Sequence, residues 1–309
     1  MNDTLQRRTL VHERRGSAMG TRFHLLVHGA ASTIADELCD RLVTLEARWS
    51  RFLPNSEVSQ LNSSPESFHM TSTDTIELVD ASIAAWQLTS GAFDPTVLHA
   101  IEAAGYDRTF SACGHLDPVP APTAAPGCAT IELDHRLGMV RLGSGVGFDP
   151  GGIGKGFAAD LLVADGISMG ATGVMVNIGG DVVCRGIAPS SHGWVVAVRE
   201  PNVSSEQIAL IALDGVSGGA VVTSTVSKRT WPTGDGPRHH LIDPATGRCT
   251  DGPVLATVVA ANGWYAEAVA KQLLVESGTA AVDASLVAAL VIDQAGTTTR
   301  VGSINEYLR

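Results

Sequence analysis

Between Ile34 and Trp49 apolar residues recur at intervals of four and three (Ile34, Leu38, Leu42, Leu45, Trp49), with Asp36, Glu37, Asp40 and Arg41 on the other side. A single stripe of that kind predicts an amphipathic helix, which Ser32 is placed to cap. Just before it, residues 22–28 alternate imperfectly and read as a strand. A second helix follows Ser72 and Thr73, turns Ile76, Val79, Ile83 and Trp86 inward, and stops at Gly91. Asp94-Pro95 opens a third, reaching about residue 104, because proline is tolerated in a first helical turn.

The pattern changes at the proline-rich connection 117–127 (DPVPAPTAAPG). Residues 129–134 and 139–142 flank His135-Arg136 as a hairpin, and a glycine-rich turn over 149–156 leads into a helix over 157–164. Segments 174–178, 182–185, 194–199 and 208–213 read as strands separated by short turns. An apolar strand over 254–261, a helix over 265–275 and a strand over 290–293 complete the chain. Helices cluster early and strands late, so the expectation is an α+β fold of mixed or antiparallel sheets with packed helices. One domain is expected over 17–309, with two lobes divided near 117–127 as the alternative. Residues 1–16 read as a polar N-terminal extension.

Composition narrows the function classes. The 309 residues are 44% apolar and only 17% charged, which excludes a disordered chain. A net charge of −11 excludes nucleic acid as the main partner, although a local basic pocket for one phosphorylated ligand stays open. Cys39, Cys113, Cys128, Cys184 and Cys249 are odd in number and form no C-x-x-C pair, so neither a disulfide framework nor a zinc site is expected. No apolar run follows Arg7, Arg8, Arg14 and Arg15, and no stretch reaches the ~20 residues of a transmembrane segment. The expected location is the cytoplasm.

Two stretches carry candidate chemistry. In 149–156 (DPGGIGKG), small residues let backbone N–H groups approach an anion at a helix N-terminus. It matches neither a Walker A loop nor G-x-G-x-x-G, and reads either as a tight structural turn or as a phosphate cradle around Lys155. In 239–247 (HHLIDPATG), adjacent histidines point in different directions on any regular element. The stretch is a strand running into an Asp-Pro turn closed by Gly247, or its paired histidines are metal ligands. Asp181, in 177–181 (NIGGD), reads as a turn former.

Taken in order, Met19-Gly-Thr21, 50–62 (SRFLPNSEVSQLN), 90–95 (SGAFDP), 149–156, 176–181 (VNIGGD), 240–247 (HLIDPATG) and 266–271 (AEAVAK) resemble the FAD:protein FMN transferases, formerly called thiamine biosynthesis lipoproteins. The resemblance covers nearly the whole chain and implies the flavin transferase fold. It implies binding of FAD and Mg2+, and transfer of FMN to a Thr or Ser hydroxyl of an acceptor flavoprotein with release of AMP. Carried over by position, Met19, Phe52 (commonly tyrosine in the family), Ala92, Phe93, Asp94, Asp149, Lys155 and Ile242 would contact FAD. Gly152 and Ala270 match backbone metal ligands. A base must take the hydroxyl proton. His240 and Asp243 are the candidates, the carboxylate orienting the imidazole.

The late helix departs from the family's Ala-Asp-Ala-Leu-Ala-Thr. Glu267 keeps a carboxylate at the metal position, but Lys271 replaces a neutral oxygen ligand with an ammonium that cannot coordinate while protonated. Two readings follow: Lys271 supplies the cation's charge in place, or it forms an i,i+4 salt bridge with Glu267 that fills a dead metal site. Thr225 stands where the family usually has glycine. Beside the transferase stand two alternatives, an FAD-binding carrier without transfer activity and a metal-dependent FAD hydrolase giving FMN and AMP.

Overall fold

The computed structural model describes residues 10–113, 119–199, 207–213, 218–276, 282–283, 285 and 287–309. The chain opens with β1 (Val11–Ala18) and β2 (Thr21–His28). Then come α1 (Ser32–Trp49), α2 (Glu57–Ser63), β3 (His69–Met70), α3 (Thr73–Leu88) and α4 (Leu98–Ala103). The short strands β4 (Glu132–Asp134) and β5 (Met139–Arg141) precede α5 (Gly154–Ser168). Five strands follow: β6 (Gly173–Ile178), β7 (Asp181–Gly186), β8 (Trp194–Arg199), β9 (Gln207–Leu213) and β10 (Gly219–Thr225). Next are β11 (Thr230–Thr233), β12 (Gly236–His239), β13 (Ile242–Asp243), β14 (Arg248–Cys249) and β15 (Leu255–Ala260). The chain closes with α6 (Gly263–Val275), β16 (Ala288–Ile292), β17 (Thr298–Val301) and α7 (Ile304–Tyr307).

Eight strands form one sheet in the order β1-β2-β6-β7-β10-β15-β16-β17, every neighbouring pair antiparallel. The two-residue period of a strand sends alternate side chains into two cores. Ala220 and Val222 of β10 join Leu38, Leu162 and Leu273 on the face covered by α1, α5 and α6. Val221 joins Trp194, Ile211 and Ile304 on the face covered by the β8–β9 hairpin and α7. Burial on both faces explains why β16 is apolar throughout and β15 is apolar but for Thr257, whose hydroxyl pairs with that of Thr223. Leu38 and Val79 share their core with Leu162 and Val258, so the main core draws on both sides of the proline-rich connection. Residues 114–118, which include part of that connection, lie outside the described residues, as do residues 1–9 with Arg7 and Arg8.

Several boundaries differ from the sequence reading. Residues 11–16, expected in a polar extension, belong to β1, which pairs with β2 over its whole length. As the edge strand β1 leaves most side chains exposed, so backbone hydrogen bonds hold it and no hydrophobic alternation marks it. α4 starts at Leu98 instead of Asp94, because the Asp94 carboxylate accepts the Thr96 N–H (2.8 Å) and hydroxyl (2.6 Å) and keeps the chain in a turn. Ala31, not Ser32, is the N-cap of α1. α5 begins at Gly154, and a 3₁₀ turn over Cys128–Thr130 shortens the first hairpin strand to β4. No helix among the described residues is long and apolar enough to cross a membrane.

Candidate active site

A cavity of about 400 Å³ opens where the first turn of α5 meets α6 and the loop preceding α4. Its lining includes Ile101 and an aromatic group in which Phe52 and Phe110 pack on Tyr106, with Arg229 at the Tyr106 hydroxyl, and a separate pair of lysines, Lys155 and Lys271, that meet on Glu267. Of the residues singled out in the sequence, Met19, Phe52, Ala92, Phe93, Asp94, Asp149, Gly152, Lys155, His240, Ile242 and Lys271 line it. Asp243, Glu267 and Ala270 do not.

Paired polar contacts fix the entrance. Asn62 of α2 bonds both backbone groups of Phe148, accepting its N–H (2.7 Å) and donating to its carbonyl (2.8 Å). The next residue, Asp149, caps the 3₁₀ turn Pro150–Gly152 by accepting the Gly151 N–H (2.8 Å). Its other oxygen meets Arg51 Nε at 3.2 Å. The Arg51 guanidinium also lies 4.2 Å from the Phe52 ring centre and 4.9 Å from that of Tyr106, and donates to the Tyr106 carbonyl (2.6 Å). Arg229 donates to the Tyr106 hydroxyl at 3.1 Å. Asp94 is buried, and desolvation lifts its carboxyl above the usual range despite the Thr96 hydrogen bonds.

Deeper in, four charges from three elements converge. Lys155, in the first turn of α5, donates to Asp181 Oδ2 and Glu267 Oε1, each at 2.5 Å. Asp181 is delivered by the β6–β7 turn, where Gly179 and Gly180 hold φ of +69° and +110° that glycine alone adopts readily. Glu267 also accepts Lys271 Nζ (3.0 Å) on Oε1 and the Gly156 N–H (2.8 Å) on Oε2. Asp160 of α5 caps α6 by accepting the N–H groups of Gly263 and Trp264, both at 2.9 Å, and burial raises its pKa to about 6. Burial would raise Glu267 too, but the two ammonium groups hold it down at about 2. Desolvation pulls Lys271 below its ordinary value, whereas the carboxylates overcome desolvation at Lys155 and raise it.

The residues at the implied metal position do not fit a divalent cation. Such an ion needs oxygen atoms with free lone pairs. Both Glu267 oxygens are engaged, by ammonium groups and a backbone N–H, and Asp181 is held by Lys155. Among the described residues, no group of three or more His, Cys, Asp or Glu side chains is arranged to hold a metal. The i,i+4 pair expected between Glu267 and Lys271 is present.

The expected pairing of His240 with Asp243 does not form. Asp243 closes its own turn, accepting the Ala245 N–H (2.9 Å) and the Thr246 hydroxyl (2.8 Å). His240 faces the cavity with Nδ1 buried and unpartnered. Burial, reinforced by Arg229 and Lys271, keeps its imidazole neutral well below the ordinary histidine range. Thr225 does not line the cavity; its hydroxyl donates to the Val254 carbonyl (2.8 Å). Arg51, Tyr106, Asp181 and Arg229 were not singled out as site residues. Arg51 and Asp181 lie inside motifs that carried the resemblance, but Tyr106 and Arg229 stand in no recognisable pattern.

The chain as a whole is similar to known proteins in sequence and fold. The model of the ApbE family matches residues 19–290. The FAD:protein FMN transferase of Vibrio cholerae is 27% identical over 307 residues, spanning 90% of this chain and 86% of that one. The enzyme of the same name from Escherichia coli K12 is 26% identical over 265 residues, 82% of this chain and 75% of the other. The crystal structure of the ApbE protein of Thermotoga maritima superimposes with a TM-score of 0.85 at 26% identity, covering 97% of this chain and 100% of that one.

Proposed function

The chain belongs to the ApbE family, and from that premise we infer that it is an FAD:protein FMN transferase, moving FMN from FAD to a Thr or Ser hydroxyl of an acceptor flavoprotein with release of AMP. The observation that carries this reading is the cavity lined by both an aromatic group and a separate pair of lysines. A flavin dinucleotide has the matching parts, flat apolar rings and an anionic diphosphate.

In this reading Phe52, Ala92, Phe93 and Ile242 offer apolar surface to the rings, with Met19 at the rim. Asp149 and Asp94 act mainly by shaping the loops they cap. Lys155 and Lys271 face the diphosphate. The carboxylates that balance them are set behind, Glu267 being 0% and Asp181 3% exposed against 21% for Lys155 and 13% for Lys271. The ammonium groups therefore dominate the field in the cavity, and the N-terminus of α5 adds its dipole. The acceptor hydroxyl oxygen bonds to the FMN-side phosphorus as the bond to the bridging oxygen breaks, and the electron pair leaves with AMP. His240, neutral and unpartnered at Nδ1, takes the hydroxyl proton. The five cysteines are free thiols, which fits a reducing compartment such as the cytoplasm.

The test is incubation with FAD and an acceptor flavoprotein domain, read by flavin fluorescence of the acceptor after denaturing electrophoresis and by AMP release. Labelled acceptor with equimolar AMP is the expected result. AMP without labelled acceptor would replace the transferase by a hydrolase, and FAD binding without either product by a carrier.

A further inference from the structure

We propose that the Lys271 ammonium takes the place of a divalent cation at the diphosphate, so that FAD binding and FMN transfer by this chain are metal-independent; the inference rests on the transferase reading and deepens it. Three observations carry it. First, both Glu267 oxygens are already engaged, Oε1 by Lys155 and Lys271 and Oε2 by the Gly156 N–H, so a cation there would have to share the carboxylate with two ammonium groups. Second, Lys271 lies beside Gly152, its Cε only 3.8 Å from where a Cβ on that glycine would stand, and it lines the cavity. The ammonium thus sits next to the backbone at which the resemblance puts a metal-binding carbonyl. Third, Lys155 and Lys271 are balanced by Asp181 and Glu267, so the cluster holds no surplus carboxylate charge to offset an added divalent cation.

The geometry separates an active role from a plug. A salt bridge that merely filled the site would bury its cation, but Lys271 reaches the cavity surface beside Lys155. Glu267, one helical turn earlier, holds the ammonium from behind at 3.0 Å. During transfer the acceptor oxygen bonds to the FMN-side phosphorus, the bridging P–O bond breaks, and its electron pair goes to the AMP phosphate. The acceptor proton goes to His240. Negative charge builds on oxygens that the two ammonium groups neutralise, which is the service a divalent ion otherwise performs.

The test compares the wild-type chain with Lys271→Thr and Lys271→Arg. FAD affinity is read by quenching of flavin fluorescence, and Mn2+ binding by electron paramagnetic resonance, each in EDTA and in excess metal. In the threonine variant Glu267 keeps Lys155 and the Gly156 N–H, and its folding is checked by circular dichroism before FAD is added. Wild type and Lys271→Arg are expected to bind FAD equally in EDTA and Mg2+ and to bind no Mn2+ specifically. Lys271→Thr is expected to lose ~10-fold or more in FAD affinity in EDTA and to recover it with Mg2+, with acceptor labelling following by ~10²-fold. Wild-type FAD binding that needs Mg2+, or a stoichiometric Mn2+ site in the wild type, overturns the inference and leaves the transferase reading standing. So does a threonine variant that is indifferent to metal. A wild type that binds no FAD under any condition overturns both.

Discussion

Gly156 of α5 and Gly263 of α6 pack backbone against backbone: a Cβ on Gly156 would fall 2.4 Å from the Gly263 carbonyl oxygen, and one on Gly263 would fall 2.6 Å from that of Gly156. This contact brings the first turns of the two helices close enough for Glu267, a turn further along α6, to accept the Gly156 N–H. The motif glycine after Lys155 is therefore required by helix packing as well as by any ligand.

Gly156→Ala must push the helices apart, since the blocking atoms are backbone. The expected cost is about 1–3 kcal/mol in urea or thermal unfolding. FAD affinity should fall with it, because Lys155 and Glu267 separate. Unchanged stability would mean the helices re-pack without loss.

Glu267→Gln leaves Lys155 and Lys271 facing Asp181 alone. Removing one partner of a buried ion cluster costs about 3–5 kcal/mol, measured by chemical denaturation at neutral pH. The sign with pH follows from the carboxylate's depressed pKa. Its stabilising contribution is complete above 4.5, the ordinary glutamate value, and is lost as pH falls towards about 2. The gap in stability between wild type and variant should therefore narrow below pH 4.5.

His240→Gln should retain FAD binding and lower acceptor labelling by ~10²–10⁴-fold. Burial depresses the wild-type imidazole, so the base form persists to more acidic pH than an exposed histidine would allow. The acid limb of the wild-type labelling profile should accordingly lie well below pH 6.5. A limb at 6.5 that survives the substitution would assign the proton transfer to another group.

Arg51→Lys keeps the charge but loses the planar group that lies over Phe52 and Tyr106 while meeting Asp149. A loss of about 1–2 kcal/mol in stability is expected, consistent with a desolvated cation–π contact. Weaker FAD binding should accompany it, since the guanidinium ties the Asp149 turn to the aromatic wall of the cavity.

Much of the frame was legible in order along the chain. The 3.6-residue stripe of α1 and the short apolar runs of β6, β7 and β15 are one-dimensional signals, because a helix repeats its burial at a fixed interval and a strand buried on both faces is apolar throughout; β10, in the middle of the sheet, was not read as a strand. The motifs around Asp94, Lys155 and His240 were legible for the same reason, each being a contiguous run of small, acidic or basic residues. What adjacency in sequence does not encode, only the tertiary structure decided. The edge strand β1 is held by backbone bonds that carry no side-chain pattern. Asp243, three residues from His240, turns away into its own hydrogen bonds, whereas Asp181 and Glu267, 26 and 112 residues from Lys155, close on its ammonium. Charge pairing falls off over a few ångströms of space, so which carboxylate meets which lysine was set by the packing of α5, α6 and the β6–β7 turn around one core.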